Sequence, residues 1–156
     1  VGACPMGAIS RPGVSNQDVR AQINLPETNG HPRMAVFVCD WALRVDADVA
    51  LLESYPENVN IIHIPCTGRI DPEMALQALD SGFDGVLVCG CAVDECHFQR
   101  GSFVSSFKIK LLNQVLGQVD MDFGRIRFIK IGTQDRGRIR SEVDDMLSHL
   151  AAWKEA

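Results

Sequence analysis

Residues 85–91, Gly85-Val-Leu-Val-Cys-Gly-Cys91, decide the fold, because they form a short apolar run that ends in a cysteine. The same arrangement occurs twice before, in Met34-Ala-Val-Phe-Val-Cys39 and in Asn60-Ile-Ile-His-Ile-Pro-Cys66. Short apolar runs of this kind are typical of strands that are buried on both faces of a parallel sheet. Parallel strands end at one shared edge, so we expect three thiols at the edge where such folds bind ligands.

Strands and helices alternate along the chain from Met34 onward. We predict four strands, at residues 34–39, 59–65, 85–89 and 127–131. Helices are predicted near 42–54, over 72–81, after Cys96 and at the end of the chain, and Asp71 and Pro72 are typical residues for a helix start. The helix after Cys96 is predicted to place one apolar face on the core, made of Val104, Phe107, Leu111, Leu112, Val115 and Leu116. The last helix has apolar residues at helical spacing, namely Ile139, Val143, Met146, Leu147, Leu150 and Trp153.

This alternation predicts an α/β fold, a small flavodoxin-like or Rossmann-like parallel sheet of about four strands with helices on both faces. In the flavodoxin-like strand order 2-1-3-4, the first strand lies between the second and the third. Cys39 then lies between Cys66 and Cys91. Neighbouring strands are about 4.8 Å apart, so the three thiols can converge, and Cys96 joins them from the following loop.

Residues 1–33 differ from the rest, because proline and glycine punctuate them. We predict an extended entry segment and linker, with one short helix that has Ser15 as N-cap and Asp18 at its third position. The chain begins at Val1, and we interpret it as a piece of a longer protein. The main domain is therefore assigned to residues 34–156.

Composition excludes several classes of protein. The chain has 156 residues and a net charge of −5, with a pI near 5.3, and no basic stripe suggests a nucleic-acid surface. No apolar stretch approaches the ~20 residues that span a bilayer. The cysteines resemble metal ligands more than disulfide partners, so we expect a reducing cytoplasm.

The four cysteines Cys39, Cys66, Cys91 and Cys96 predict a metal cluster. The local Cys-x4-Cys spacing of the last two occurs in plant-type [2Fe–2S] ferredoxins, whereas zinc sites more often use shorter spacings. Cys89 lies inside an apolar run and is interpreted as a core residue, with a role as alternate ligand left open. Near these thiols, Arg69 is a candidate donor to the sulfurs or an ordinary surface arginine. His97 is a candidate neighbour of the cluster, a ligand or a simple loop residue, and a role other than ligand is favoured.

Other functions remain open on the sequence alone. The domain is alternatively a docking or structural module with an empty or zinc-filled site. A third hypothesis is a thiol–disulfide device that uses Cys91 and Cys96, although Asp94 and Glu95 beside them would raise a thiol pKa. A nucleotide or flavin could also bind in the same crevice, but the chain has no glycine-rich loop to hold its phosphate.

Three blocks resemble the delta subunit of methyl-viologen-reducing hydrogenase. They are Phe37-Val-Cys39-Asp-Trp41, Pro65-Cys66-Thr-Gly-Arg69-Ile-Asp71-Pro72, and Gly90-Cys91-x4-Cys96-His97-Phe98. The resemblance runs from about residue 34 to the end of the chain. It implies a [2Fe–2S] cluster that relays electrons between a hydrogenase or formate dehydrogenase and the flavin subunit of heterodisulfide reductase, with no substrate chemistry in this domain.

The chain departs from that family at two places. The family usually reads Cys-x2-Cys at the first strand end, where this chain has Ala42, and the loop Ala92-Val-Asp-Glu95 also differs. Four cysteines remain, which is enough for a [2Fe–2S] cluster, and Cys39 is then required unless Cys89 substitutes for it.

Residues 1–11 resemble the ferredoxin end of the flavin subunit of heterodisulfide reductase. Cys4-Pro5 looks like the end of a ferredoxin cysteine run, so we expect Cys4 to be unpaired in this chain. The resemblance implies a heterodisulfide-reductase-type flavoprotein fused upstream. FAD and [4Fe–4S] clusters are expected only in that upstream region or in partners.

Overall fold

The computed structural model describes residues 15–23, 31–42, 55–119, 123–132, 134–135 and 137–155. Four strands run through this part of the chain: β1 (Met34–Cys39), β2 (Val59–Ile64), β3 (Gly85–Cys91) and β4 (Ile126–Ile131). The helices within it are α1 (Asn16–Ala21), α2 (Pro72–Asp80), α3 (Gly101–Gly117) and α4 (Arg138–Glu155). Short 3₁₀ helices lie at Thr67–Arg69, Val93–Glu95 and Phe123–Arg125.

The four strands form one sheet in the order β2-β1-β3-β4, and every pairing is parallel. The predicted α/β fold and strand order are confirmed. All six residues of β1 and all seven of β3 are buried, because helices cover both faces of these central strands. The carboxyl ends of β1, β2 and β3 therefore meet at one edge of the sheet.

Each face of the sheet has its own core. On one face, α1, α2 and α3 pack on the sheet through residues such as Val19, Met74 and Ile109. On the other face, α4 packs through Ile139, Val143, Met146 and Leu150, which are buried as their spacing predicts. Leu147 is partly buried, and Trp153 is exposed beneath the guanidinium of Arg125, which lies 4.7 Å from its ring centroid.

The strand ends differ slightly from the prediction. β3 continues two residues beyond the predicted end at residue 89, because β4 pairs with it at Gly90↔Lys130 and Cys91↔Ile131. Cys91 is consequently the last residue of a strand, and the prediction that placed it in a loop is wrong. The predicted helix at 42–54 lies outside the described residues except for residue 42, and residues 40–42 are helical.

The buried face of α3 is not the predicted one. Its buried residues are Ser102, Ser105, Ile109, Leu112 and Leu116. Four of the six residues predicted for the core face are exposed instead, namely Val104, Phe107, Leu111 and Val115. The apolar residues of α3 surround most of the helix, and two serines take core positions because α3 approaches the end of β3 closely. Hydrophobicity alone therefore selects the wrong face.

Capping fixes the starts of two helices as predicted. Ser15 and Asp18 form a capping box at α1, and the side chain of Asp71 accepts a hydrogen bond from the N–H of Glu73 at α2. α1 also contributes Val19 to the core, a role that the proline-rich sequence around it does not indicate. In the described part of the chain, none of the helices has the length and apolar character to cross a bilayer.

Candidate functional site

The predicted cysteines lie at the carboxyl edge of the sheet. Cys39 and Cys91 are the last residues of β1 and β3, and Cys66 follows β2 by two residues. Cys96 directly follows the 3₁₀ helix Val93–Glu95. The strand order puts β1 between its two neighbours, so Cys39 occupies the centre of this edge, as expected.

Two of the thiols are in contact. Cys39 Sγ and Cys91 Sγ are 3.6 Å apart, and both side chains are buried. When two thiolates bind the same tetrahedral metal, each at about 2.3 Å from it, their sulfurs are about 3.8 Å apart. The observed separation of the sulfurs therefore matches that of two ligands on one metal. Cys39 Sγ also lies 3.8 Å from the carbonyl oxygen of Pro65, which links this pair to the loop of Cys66.

The pair shares a proton unequally. A hydrogen bond from Cys91 lowers the pKa of Cys39 to about 6, against the opposing effect of burial, and the backbone N–H groups of Trp41, Ala42 and Thr67 add to the lowering. The same hydrogen bond raises the pKa of Cys91, and burial raises it further. Cys39 is thus the more acidic thiol of the pair. A thiolate is the form that binds metal.

Cys66 lies against the first turn of α3. Its Sγ accepts a hydrogen bond from the N–H of Gly68 at 3.4 Å. A Cβ placed on Gly101 would be 2.2 Å from this sulfur, so only glycine fits there. Burial raises the pKa of Cys66, Cys39 and Cys96 add to this, and the N–H of Gly68 opposes it. These effects place all four predicted cysteines in one electrostatic group.

A ring stack connects the loops of Cys39 and Cys96. The imidazole of His97 stacks on the indole of Trp41 with ring centroids 3.5 Å apart, and Phe98 meets His97 edge-on at 5.0 Å. The backbone N–H of His97 is directed at Cys91, where it lowers the pKa of that thiol. His97 is therefore a neighbour of the thiols through its backbone, while its exposed side chain packs on Trp41.

Arg69 bridges the site and α1. Its Nη2 donates to Asn16 Oδ1 at 3.0 Å, while its Nε is buried without a hydrogen-bond partner among the described residues. Its positive charge lowers the pKa of Cys66, against the larger effect of burial. Arg69 thus acts on the thiols by charge, and it holds one unsatisfied donor beside them.

The other two cysteines have different positions. Cys89 is completely buried in β3, and its register partner is Val38, one step before the end of β1. Side chains alternate along a strand, so Cys89 and Cys91 point to the same face, with Cys89 deeper. Cys4 lies outside the described residues.

The described thiols have the chemical character of iron–sulfur ligands, but they are not arranged around one metal position. No three potential ligands among the described side chains are close enough to hold one metal ion. Cys39 and Cys91 form a pair, while Cys66 is turned toward α3. The donor set is nonetheless entirely thiol, with backbone N–H groups directed at three of the sulfurs and a spare donor on Arg69. Iron–sulfur clusters use such thiolates and such N–H donors.

Sequence reasoning missed several residues that shape the site. Trp41 stacks on His97, Gly101 makes room for Cys66, and Ser102 donates its hydroxyl to the carbonyl of Cys91. Gly90 is also required, because an added Cβ would lie 2.9 Å from Thr67 Oγ1. The short spacing from Cys96 to Gly101 was the one signal that α3 would begin at the site.

Comparisons with known proteins agree with the resemblance of the three sequence blocks. The family model described as methyl-viologen-reducing hydrogenase, delta subunit, matches residues 34–153. One subunit of the ferredoxin:CoB-CoM heterodisulfide reductase of Methanosarcina mazei is 32% identical over 147 residues, which cover 92% of this chain and 18% of the relative. The iron-sulfur subunit of an F420-non-reducing hydrogenase of Archaeoglobus profundus is 31% identical over 128 residues, which cover 79% of this chain and 93% of that relative.

A third relative extends the comparison. The corresponding subunit of the ferredoxin/F(420)H(2)-dependent CoB-CoM heterodisulfide reductase of Methanosarcina acetivorans is 32% identical over 141 residues, or 86% of this chain. The chain spans 18% of the length of each of the two heterodisulfide reductase relatives. The similarity therefore covers nearly the whole hydrogenase subunit, but only one region of each long heterodisulfide reductase subunit.

Proposed function

The chain belongs to the methyl-viologen-reducing hydrogenase delta subunit family, and from this membership we propose that it transfers electrons through a [2Fe–2S] cluster held by Cys39, Cys66, Cys91 and Cys96. The observation that carries the proposal is the contact between Cys39 Sγ and Cys91 Sγ at 3.6 Å, at an edge where two further thiols interact with them. Such a cluster, when bound, supplies one-electron chemistry at potentials that its surroundings tune.

The residues around the thiols prepare them for metal binding. Because the pKa of Cys39 is lowered, this thiol is easier to deprotonate for metal binding than an ordinary cysteine. The stacked rings of Trp41 and His97 connect the loops that carry Cys39 and Cys96. The N–H groups of Gly68 and His97 and the charge of Arg69 stabilise negative charge on sulfur, which favours the reduced state of a cluster.

The partners are part of the proposal. Relatives of this chain are named as subunits of a hydrogenase and of a heterodisulfide reductase. We assign this chain the relay between a hydrogenase or formate dehydrogenase and a heterodisulfide-reductase-type flavoprotein, in the reducing cytoplasm. FAD and [4Fe–4S] clusters would belong to the partners or to a flavoprotein region fused upstream. Such a fusion is supported by the two heterodisulfide reductase relatives, because this chain covers only 18% of the length of each.

Anaerobic purification of the full chain tests the cluster. We expect two irons and two acid-labile sulfides per chain, visible absorption from sulfur-to-iron charge transfer, and an electron paramagnetic resonance signal only after reduction with dithionite. A folded, colourless protein without iron would contradict the proposal. A colourless protein that retains one zinc per chain would support the alternative of a structural or docking module.

Serine variants identify the ligands. Cys39→Ser should lower the iron content by at least half and change the spectrum of any cluster that remains, because it removes the central thiolate. Cys89→Ser is the matched control, since it makes the same atomic change one step deeper on the same edge. Full iron content in Cys39→Ser together with loss of iron in Cys89→Ser would transfer the ligand role to Cys89.

A further inference from the structure

The two edges of the sheet are treated differently by the chain. At the β2 edge, Gln22 takes the place of a neighbouring strand: its Oε1 accepts from the N–H of His63 at 3.2 Å, and its Nε2 faces the carbonyl of the same residue at 3.5 Å. Asn60 Nδ2 completes this cover by donating to the carbonyl of Gln22 at 2.9 Å. The outward backbone groups of His63, near the end of β2, are therefore paired from within the chain.

The β4 edge instead faces an open groove. The groove has a volume of about 770 Å³ and lies between α3 and α4, with β4 as its floor. The carbonyl of Ile131 accepts from the N–H of Ala92, which continues the ladder with β3. Because backbone groups alternate along a strand, those of Phe128 and Lys130 point away from β3 and into the groove.

One side chain already hydrogen-bonds to this edge. Asn113 Nδ2, on α3, donates to the outward carbonyl of Ile126 at 2.8 Å. Its Oδ1 is buried and has no hydrogen-bond partner among the described residues. A backbone N–H that entered the groove beside Ile126 would satisfy this acceptor. The groove thus offers both backbone groups and an unused acceptor to an extended chain.

The charge of the groove selects the occupant. Four basic residues and one acidic residue line it, namely Lys110, Arg127, Lys130, Arg138 and Glu142. Arg127 pairs with Asp145 at 2.7 Å, and Arg138 pairs with Asp135 and Glu142. Lys110 and Lys130 are exposed, and neither makes an ion pair with a described residue. The groove is therefore a positive site on a chain whose net charge is −5.

We propose that β4 accepts an extended acidic segment of a partner protein as a fifth strand of the sheet. The backbone groups of Phe128 and Lys130 hydrogen-bond to the segment, and its carboxylates pair with Lys110 and Lys130. Strand addition of this kind takes its affinity from main-chain hydrogen bonds and its specificity from alternate side chains. A second copy of this chain is a poorer occupant, because pairing of two β4 edges would bring two grooves of the same positive charge together.

A capped peptide of alternating Glu and Val residues, as long as β4, tests the proposal with the full chain. Binding should slow amide hydrogen exchange at Phe128 and Lys130, by about tenfold at a peptide concentration ten times its Kd, and leave Ile129 unchanged. The same peptide with Lys in place of Glu should bind at least about fivefold more weakly. Equal binding of the two peptides, or protection only at the exposed residues of α3, would overturn the proposal.

Matched variants isolate the two lysines. The double variant Lys110→Gln/Lys130→Gln should weaken the acidic peptide by about fivefold or more. The control Gln17→Glu/Gln118→Glu changes the net charge by the same amount at exposed positions outside the groove and should bind like the parent. Concentration-dependent dimerisation that protects Phe128 and Lys130 without peptide would assign the edge to a second copy instead. Iron is irrelevant to these measurements, so their failure leaves the cluster proposal untouched.

Discussion

Cys39 and Cys91 are paired thiols whose pKa values are shifted in opposite directions by their surroundings. Cys39 accepts hydrogen bonds from Cys91 and from three backbone N–H groups, which together outweigh the cost of burying a charge. Cys91 has fewer donors directed at it, so it keeps its proton. At the scale of single residues, the surroundings therefore make Cys39 the thiol of the pair that more readily takes the thiolate form.

This pair makes the stability of the metal-free, reduced chain depend on pH. The pKa of Cys39 falls from 9.0 to about 6 on folding, so its stabilising effect is complete above pH 9.0 and is lost as the pH falls through about 6. The raised pKa values of Cys66 and Cys91 act in the opposite sense, because their effect is present below pH 9.0 and is lost above it.

Urea unfolding of the metal-free chain and of Cys39→Ser, measured from pH 6 to pH 9, checks this assignment. The free energy of unfolding of the parent should rise relative to the variant with increasing pH, by at most about 1.4 kcal/mol per pH unit for one proton. Parallel curves for the two proteins would mean that Cys39 is not the acidic thiol.

Gly101 is the residue that lets α3 start at Cys66. In Gly101→Ala the new methyl group would lie 2.2 Å from Cys66 Sγ, so either the thiol or the helix start must move. We expect a loss of about 1–3 kcal/mol in stability and a lower iron content after anaerobic purification. Gln114→Ala, an exposed position on the same helix, serves as the control. Unchanged iron content in Gly101→Ala would show that Cys66 does not need its present position.

At the scale of elements, α3 is the helix whose sequence misleads. Its most hydrophobic stripe faces outward, with Phe107 62% exposed, while Ser102 and Ser105 face the sheet. The small serines let the helix approach β3, and Ser102 uses that closeness to bond the carbonyl of Cys91. When a helix is apolar on most sides, the spacing of its apolar residues does not show which face is buried.

Truncations on the two faces of α3 distinguish them. Ile109→Ala should lower the free energy of unfolding by about 2–5 kcal/mol, because Ile109 is buried in the core. Phe107→Ser should change it by no more than about 0.5 kcal/mol, because that side chain is mostly exposed. Denaturant unfolding of the full chain measures both. Equal losses of unfolding free energy in the two variants would mean that the predicted face of α3, which includes Phe107, packs on the core after all.

Sequence reasoning could predict the elements that depend on local patterns. The runs at Met34–Cys39 and Gly85–Cys91, and the cap at Asp71, each contain enough information in a few residues. The placement of Cys39, Cys66 and Cys91 at one edge of the sheet followed from strand order. The contact of Cys39 with Cys91, the stack of Trp41 on His97 and the fit of Gly101 could not be predicted, because they depend on how separate loops pack.

At the scale of the whole molecule, one sheet serves two separate surfaces. Its carboxyl edge collects the thiols from β1, β2 and β3, while its lateral edge at β4 lies along the groove. β4 contributes no cysteine, yet its pairing with Gly90 and Cys91 extends β3 by two residues and fixes the backbone of Cys91. The strand proposed to receive a partner is thus directly hydrogen-bonded to a strand that holds the site.

The strand order also has a consequence for biosynthesis. Cys39 comes from the first strand of the sheet, yet its neighbours at the edge come from strands made later, and Cys66 rests against a helix made later still. A ribosome that has released only the first two strands has built no site. Insertion of the proposed cluster, which would need all four thiols, would therefore follow the synthesis of β3 and of the loop that carries Cys96, and the packing of these later elements against β1.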